Sequence, residues 1–418
     1  MQPGCILYER ELAMLKLFNT FGRRLEPFRN ADNRRATIFT CGPSVYQRAH
    51  IGNFRTFLFE DILVRYLEYS GYTVERGMAV TDIEDKAINE AEKHKTSVKK
   101  LTDRNIAQFI KELKLLHMKV PHYMPRASEC VDESVGIIKK LIEKKIAYNH
   151  GGNIYFDPLK VRGFGKLFGL DMSKWPKKKR RFHKDTYPGI QWNYGDFILW
   201  HGCEISEKAC WKTALGEGRP SWNVQDPSMV LRHFRGTLSA FCGGIDNLYR
   251  HHDYSLAILE SIKPYPMSRF WMHGAHLFVD NQKMSKSKGN ILYTDMLIKK
   301  GYTAQEIRFF LMYSHYRTKL NYSDKAMEAA AQRLRDFREC VKLIRRKAGS
   351  SKAERSKISD SIKTAFVSSM DNDMGVKPAF DAMMETLEKI EVSLLSASQA
   401  AGIIRTLKKI DEVLQVIF

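Results

Sequence analysis

The sequence predicts an α/β protein in which a parallel sheet carries helices and an all-helical region follows. Residues 36–46 (ATIFTCGPSVY) are rich in β-forming residues, residues 54–71 have apolar residues at helical spacing, and residues 72–80 again have strand character. A strand, a helix and a second strand in this order are typical of a parallel sheet. From residue 324 onward the chain consists of amphipathic stretches around a polar break, GSSKAERSK, which predicts a bundle of about four helices.

The segments between these two regions are predicted from the spacing of their apolar residues. Residues 83–118 and 128–146 have helical character, with VPHYMP as the break between them. Residues 158–195 are rich in Lys, Gly, Pro and Trp, which predicts an irregular inserted segment. The short runs with strand character are NIYFD (153–157), DFILW (196–200), SWNV (221–224) and HLFVD (276–280).

The composition favours a globular protein that binds a polyanion. Lysine and arginine number 68 against 47 acidic residues, a formal net charge of +21, and nucleic acid is the first candidate partner for such an excess. A surface charged only for solubility is the alternative, since charge alone specifies no partner. No run approaches the roughly 18 apolar residues of a membrane span, and the N-terminus lacks the apolar core of a secretory signal. Seven scattered cysteines without a CxxC pair predict reduced thiols and a cytoplasmic location.

The segment HIGN (50–53) lies where the loop after the first strand turns into a helix. The start of a helix offers free backbone N–H groups and the positive end of the helix dipole, both of which suit phosphate. His50 and Asn53 can add side-chain donors, and Gly52 lets a ligand approach the backbone closely. A helix cap without a ligand is the alternative interpretation.

A second polar segment, KMSKSKGN (283–290), follows the run HLFVD. Lys283 and Lys286 alternate with serines ahead of a glycine, a pattern too polar for a core element. A loop that gathers ammonium groups around a leaving pyrophosphate fits this pattern. A solvated basic turn is the alternative.

Together the two segments resemble the HIGH and KMSKS motifs of the class I aminoacyl-tRNA synthetases. The resemblance is closest to the cysteinyl-tRNA synthetase family and runs from Met14 to the end of the chain. The segments that carry it, in the family's order, are MLKLFNT, TCGPSVYQRAHIGNFRT, RYLEYSGYTV, VTDIEDKAI, GDFILW, GEGRPSW, GGID with the HH pair that follows, KMSKSKGN and IRFFLMYSHYR.

The resemblance implies a Rossmann-type class I catalytic domain over residues 14–323, with a connective insertion at about 120–200, followed by a helical bundle domain over 324–418. Residues 1–13 are then an N-terminal extension. The chain ends about where the anticodon-binding domain of the family begins, so the resemblance implies a truncated paralogue.

The resemblance also implies that ATP, with Mg²⁺, activates an amino acid as an aminoacyl-adenylate. The acceptor is then a tRNA acceptor stem or, as in the mycothiol-pathway ligase on the same scaffold, a small amine. A catalytically idle paralogue that holds RNA on its basic surface is the competing hypothesis. Positioning and electrostatics supply the catalysis of the first step, because a carboxylate is already nucleophilic.

The family's nucleotide-site roles can be carried over residue by residue. His50 and Asn53 would stabilise the α-phosphate side of the transition state, with Asn53 standing where the family motif has His. Lys283 and Lys286 would neutralise the departing pyrophosphate, and Lys286 would also contact ATP. The residues implied to line the nucleotide site are Gly52, Gly243, Gly244 and Asp246, of which Asp246 suits a ribose hydroxyl.

The family's zinc ligands, Cys, Cys, His and Glu, fall here on Cys41, Asp226, His251 and Ser255. The second and fourth are changed, and a serine hydroxyl is a poor zinc ligand. In one interpretation Cys41, Asp226 and His251 hold a zinc ion with an open position. In the other, which we favour, the pocket is metal-free, Trp222 forms one wall, and Asp226 selects a side chain with a donor or a positive charge. The activated amino acid is then not cysteine, although a plain cysteinyl-tRNA synthetase that tolerates the change is a third hypothesis.

Overall fold

The computed structural model describes residues 14–29, 34–174, 196–204, 209–284 and 288–418. The strands in this part of the chain are β1 (Lys16–Asn19), β2 (Arg24–Pro27), β3 (Arg35–Thr40), β4 (Thr73–Met78), β5 (Ala147–His150), β6 (Asn153–Phe156), β7 (Phe197–Gly202), β8 (Trp211–Thr213), β9 (Gly216–Pro220), β10 (Leu238–Gly244), β11 (Ser268–Gly274), β12 (Leu277–Val279), β13 (Gln282–Lys283) and β14 (Leu320–Tyr322). The α-helices are α1 (Ile51–Tyr69), α2 (Asp85–Lys93), α3 (Val98–Leu115), α4 (Val131–Glu143), α5 (Trp222–His233), α6 (Asp253–Ile262), α7 (Thr294–Lys299), α8 (Ala304–Met312), α9 (Asp324–Ala348), α10 (Lys357–Met370), α11 (Val376–Glu388) and α12 (Ala397–Leu414). Among these helices, none has both the length and the apolar character that crossing a bilayer requires.

Four parallel strands form the central sheet in the order β11-β10-β3-β4. Strand β10 is buried along its whole length, as expected for a parallel strand covered on both faces. Helix α1 connects β3 to β4, so the α/β class predicted from the order of strand, helix and strand is confirmed. The carboxyl ends of β3 and β10 lie side by side, and the chain segments that leave them carry Cys41 and Asp246.

Five antiparallel strands, in the order β5-β6-β7-β9-β8, form a second sheet between β4 and β10 in the chain. The strand predicted at residues 221–224 is wrong, because helix α5 begins at Trp222. Ser221 caps this helix, with its Oγ accepting a hydrogen bond from the N–H of Asn223 at 3.3 Å. A capping serine can start a helix even where Trp and Val favour a strand. Because this segment is a helix, it carries Asp226 in its second turn.

Cys203 and Cys210 form a disulfide bond, which corrects the expectation that the cysteines are reduced. They lie just after β7 and just before β8, two strands that both pair with β9. The chain therefore folds back on itself and brings their Cα atoms to 6.1 Å. Cys5 lies outside the described residues, and the free cysteines among the described ones are Cys41, Cys130, Cys242 and Cys340.

Helices α9, α10, α11 and α12 pack together at the C-terminal end, which confirms the predicted bundle. The bundle shares one apolar core with α1 and the central sheet. Arg308 on α8 is fully buried at this junction and donates hydrogen bonds to Asp61 Oδ2 on α1 (2.9 Å) and to the carbonyl oxygens of Leu414 (2.7 Å) and Leu116 (2.9 Å). Because a buried guanidinium is stable only when its donors are paired, this set of bonds holds the end of α12 against α1.

Candidate active site

A cleft of about 360 Å³ opens where the central sheet meets the starts of α1 and α5. It is bounded by the loop between β3 and α1, the first turns of α1 and α5, and the turn after β10. The fold therefore brings the predicted nucleotide segment and the predicted amino-acid pocket into one cavity. The predicted site residues that line it are Cys41, His50, Asn53, Trp222, Asp226, Gly244, Asp246 and His251.

His50 and Asn53 form a reciprocal cap at the start of α1. His50 Nδ1 accepts a hydrogen bond from the N–H of Asn53 (3.3 Å), and Asn53 Oδ1 accepts one from the N–H of His50 (3.0 Å). These atoms do the work of a helix cap, so contact with a phosphate falls to the other side-chain donors. Burial lowers the pKa of His50, which leaves a neutral ring whose proton sits on Nε2. The Nε2–H of His50 and the amide NH₂ of Asn53 are therefore the side-chain groups that a ligand can use.

The two segments that the sequence predicts to bind phosphate touch each other through Met284. A Cβ atom placed on Gly52 would lie 2.5 Å from Cε of Met284, so this methionine packs directly over the first turn of α1. Lys283 is exposed at the end of β13, where it pairs with Phe278 of β12. Lys286 lies outside the described residues. Neither Gly52 nor Lys283 lines the cleft itself, although the neighbours of Gly52, His50 and Asn53, do.

Two glycines end β10, and each has a side chain close over it. A Cβ on Gly243 would lie 2.8 Å from Cε1 of His252, and a Cβ on Gly244 would lie 2.5 Å from Oδ1 of Asp246. Gly243 serves the packing behind the cleft and does not line it, whereas Gly244 does. Asp246 follows in a short 3₁₀ turn, Ile245–Asn247, and its exposed carboxylate lies over Gly244. This placement suits an acceptor for a ligand hydroxyl.

Cys41, Asp226 and His251 meet at the other side of the cleft. Asp226 Oδ2 accepts a hydrogen bond from the thiol of Cys41 at 3.2 Å and from Nε2 of His251 at 2.9 Å. The side chain of Asp226 is only 3% exposed, so these two contacts compensate a buried carboxylate. Burial and the neighbouring Asp226 raise the pKa of Cys41 well above its usual range, which keeps the thiol protonated.

From the sequence, His252 is expected to be a histidine satisfied by hydrogen bonds beside a ligand position, and the structure gives it two partners. Its Nε2 lies 2.9 Å from Sγ of Cys41, and its Nδ1 lies 2.8 Å from Nε2 of His273, whose Nδ1 lies 2.8 Å from Oγ1 of Thr20. Burial lowers the pKa of His252 well below its usual range and that of His273 to about 3, so both rings are neutral. The only signal for this chain of contacts in the sequence is the His251–His252 pair.

Two buried polar atoms in this region have no hydrogen-bond partner in the part of the chain that the structure describes: Nδ1 of His251 and Oγ of Ser255. Ser255 is fully buried on α6 and does not line the cleft. Trp222 does line the cleft and stacks on the ring of His251, with centroids 4.7 Å apart and planes at 20°. The indole therefore covers one face of the histidine that bonds Asp226.

The donor atoms at this end of the cleft fit a hydrogen-bonded cluster better than a zinc site. Sγ of Cys41 and ring nitrogens of His251 and His252 lie within 4.8 Å of one another, close enough to face a common ion. However, Oδ2 of Asp226 is in direct hydrogen-bond contact with Cys41 (3.2 Å) and His251 (2.9 Å). Ligand atoms about 2.0–2.3 Å from a tetrahedral zinc ion lie about 3.3–3.7 Å from one another, which is farther apart than the atoms in either of these two contacts. In addition, Ser255 at the fourth family position offers only a hydroxyl.

Solved structures with the same fold include two aminoacyl-tRNA synthetases. Mycobacterium tuberculosis methionyl-tRNA synthetase in complex with methionyl-adenylate has a TM-score of 0.61 at 14% identity, covering 92% of this chain and 90% of that one. The ternary complex of Agrobacterium radiobacter K84 agnB2 LeuRS with tRNA and LeuAMS has a TM-score of 0.63 at 12% identity, covering 93% and 84%. The chain therefore has the fold of a class I aminoacyl-tRNA synthetase catalytic domain.

Sequence comparison places the chain within this class. Residues 27–332 match the family described as tRNA synthetases class I (C) catalytic domain. Cysteine--tRNA ligase from Chlamydia pneumoniae is 33% identical over 413 residues, which is 96% of this chain and 86% of the relative. The enzyme of the same name from Leptospira interrogans serogroup Icterohaemorrhagiae serovar Lai is 33% identical over 394 residues, 92% and 82% of the two chains. The chain belongs to the cysteinyl-tRNA synthetase family of ligases, as its motifs predict.

Proposed function

We propose that this chain uses ATP to activate an amino acid as an aminoacyl-adenylate and that its pocket selects an amino acid other than cysteine. The observation that carries the proposal is that the start of α1, Asp246 and the cluster around Asp226 line one cleft. A nucleotide at the first two and an amino acid at the third would bring a carboxylate to the α-phosphate. Such alignment of two reactants supplies a large part of an enzymatic rate enhancement.

The nucleotide half of the cleft contains donors that suit a triphosphate bound with Mg²⁺. The free N–H groups at the start of α1, the Nε2–H of His50 and the amide of Asn53 would stabilise charge at the α-phosphate. Asp246 would accept a hydrogen bond from a ribose hydroxyl. Lys283 and Lys286 would neutralise the departing pyrophosphate, a role supported by the contact of Met284 with the first turn of this helix.

In the part of the cleft proposed to bind the amino acid, Asp226 places a carboxylate oxygen where the family has the sulfur of a cysteine. Oδ2 of Asp226 is bonded by Cys41 and His251, whereas Oδ1 has no hydrogen-bond partner among the described residues. A substrate side chain with a hydrogen-bond donor or a positive charge would bond Oδ1, while a thiolate would be repelled by the carboxylate. Trp222 would close the pocket over such a side chain. The protein groups alone supply this selectivity, so we propose no zinc in the reaction.

We propose the 3′ end of a tRNA as the acceptor. The relatives that cover most of this chain are named as tRNA ligases, and one structural neighbour is solved with tRNA bound. The net charge of +21 supports a polyanionic partner. A small amine is the alternative acceptor, and an assay of the second step separates the two.

Amino-acid-dependent pyrophosphate exchange, run over all amino acids with metal analysis on the same sample, tests the proposal. We expect exchange with an amino acid whose side chain carries a donor or a positive charge, and zinc well below one ion per chain. Exchange with cysteine alone and stoichiometric zinc would restore the plain cysteinyl-tRNA synthetase hypothesis. No exchange with any amino acid, together with salt-dependent RNA binding, would instead establish the idle paralogue.

A further inference from the structure

A groove of about 870 Å³ lies at the opposite end of α1 from the catalytic cleft. Helix α1 has 19 residues, so at 1.5 Å per residue the groove and the cleft are about 28 Å apart. The groove is formed by the end of α1, the segments on either side of the first hairpin, α10 and α12. Its volume falls in the range of about 300–1,000 Å³ that is typical of ligand pockets.

The floor of this groove is aromatic. Tyr69 stacks on the buried Tyr66, with ring centroids 5.9 Å apart and planes at 15°. Tyr72 meets Phe28 edge to face at 5.7 Å. Tyr69 and Tyr72 are half-buried, so each offers part of its ring to the groove. Flat, partly exposed rings of this kind are the platform on which nucleic-acid bases stack.

The rim of the groove is basic. Arg34, Lys363 and Arg405 come from three separate segments, are exposed, and make no ion pair within the described part of the chain. The guanidinium of Arg34 lies over Gly71 at the rim: a Cβ on this glycine would lie 2.9 Å from Nη1 of Arg34. Three cations without acidic partners around one cavity favour an anionic occupant.

The acidic groups near the groove are already engaged. Asp371, the one acid among the described lining residues, accepts a hydrogen bond from the hydroxyl of Tyr66 at 2.6 Å, and burial raises the pKa of its carboxyl group. Glu412, outside the lining, pairs with Lys409 at 2.5 Å. The positive charge of the three free cations is therefore not cancelled from within the protein.

We propose that this groove binds an unpaired stretch of RNA, with bases on the tyrosine floor and phosphates on the three cations. Single-stranded nucleic acid is recognised by this combination of aromatic platforms and a basic track. A lipid or a small anion would have little use for stacked tyrosines. The site is separate from the activation step, so its failure leaves the proposed function untouched.

The test is fluorescence anisotropy of a labelled single-stranded RNA of about 12 nucleotides, within the span that such sites cover, titrated with the full chain at several salt concentrations. The groove variant combines Lys363→Glu with Arg405→Glu. The control combines Lys299→Glu with Lys325→Glu, which makes the same change in charge at exposed lysines outside the groove. Thermal unfolding, measured in parallel, checks that both variants are folded, and pyrophosphate exchange shows whether the activation step is unaffected.

We expect the groove variant to bind at least tenfold more weakly and the control to stay within twofold of the parent chain. The salt slope should fall by about 1.4 in the groove variant, because each lost phosphate contact to a single strand removes about 0.7. Tyr69→Phe should retain binding, while Tyr69→Ala should weaken it about fivefold or more. Equal losses in both charge variants, tighter binding of a duplex, or binding of free AMP without binding of the RNA would each overturn the proposal.

Discussion

The pocket carboxylate gives the sharpest prediction, because Asp226→Asn keeps the size of the side chain and removes its charge. The remaining amide oxygen can still accept from Cys41 and His251, so the cluster should stay intact. What is lost is the charge-assisted bond that we propose from Oδ1 to the substrate side chain. Hydrogen bonds to charged groups contribute about 1.5–3 kcal/mol.

That loss corresponds to a fall of about 10- to 150-fold in kcat/KM for the amino acid. The assay is pyrophosphate exchange with the amino acid of the panel that gives the highest rate. The amino acid is varied at saturating ATP, and ATP is then varied at a constant concentration of the amino acid, which gives kcat/KM for each substrate. The control is Asp246→Asn, which removes a carboxylate on the nucleotide side of the same cleft. Asp226→Asn should lower kcat/KM for the amino acid, whereas Asp246→Asn should lower kcat/KM for ATP.

The proposed role of the Asp226 carboxylate is refuted if Asp226→Asn leaves kcat/KM for the amino acid within twofold of the parent. It is refuted equally if the variant impairs ATP and the amino acid to the same degree, since the carboxylate would then act on the cleft as a whole. Thermal unfolding of each variant separates either outcome from a loss of folded protein.

Three further predictions concern stability, pH and metal. Replacing Arg308 by Leu should lower the free energy of unfolding by about 2–4 kcal/mol, because it removes the donor that the buried carbonyl oxygens of Leu414 and Leu116 share. The Asp61 carboxylate loses one partner but keeps Arg65 and the N–H of Lys119, and denaturant unfolding that shows less than about 1 kcal/mol would contradict this prediction. His273 has a pKa of about 3 when folded and about 6.5 when unfolded, so stability is constant above pH 6.5 and falls below it; lowering the pH to 5 should cost about 2 kcal/mol through this residue, and His273→Gln should reduce that dependence. The double variant Asp226→Cys with Ser255→Glu restores the family's ligand set and should bind one zinc per chain and activate cysteine; a folded double variant that does neither would argue against the metal-free pocket.

The sequence predicts the scaffold well because its signals are local. The order of strand, helix and strand before residue 80 and the amphipathic stretches after 324 each depend on neighbours along the chain, and both regions fold as predicted. The strand predicted at residues 221–224 is wrong because there the local pattern is misleading. Its Trp and Val favour a strand, but the one serine that caps α5 decides the outcome, and a single hydrogen bond leaves no periodic pattern to detect.

The candidate site could be predicted by position but not by contact. The motifs identify Cys41, Asp226 and His251, yet nothing in the sequence shows that one carboxylate oxygen accepts from both of the others. The sequence likewise does not show that Thr20 and His273 belong to the series of hydrogen bonds behind Cys41. They come from a hairpin and from β11, and only the folded sheet brings them behind the cleft.

The series of hydrogen bonds that links Thr20 to Asp226 can be donated in only one direction. Since the thiol of Cys41 points its hydrogen at Asp226, His252 must point its own at the sulfur, His273 must point its own at His252, and the threonine hydroxyl must start the series. The carboxylate of Asp226, which can only accept, thus dictates that the sulfur donates to it and which tautomer each imidazole adopts. Losing the hydroxyl of Thr20 would leave Nδ1 of His273 without its donor, whereas the direction of the series, and with it the polarity offered to an incoming side chain, would stay fixed by the carboxylate.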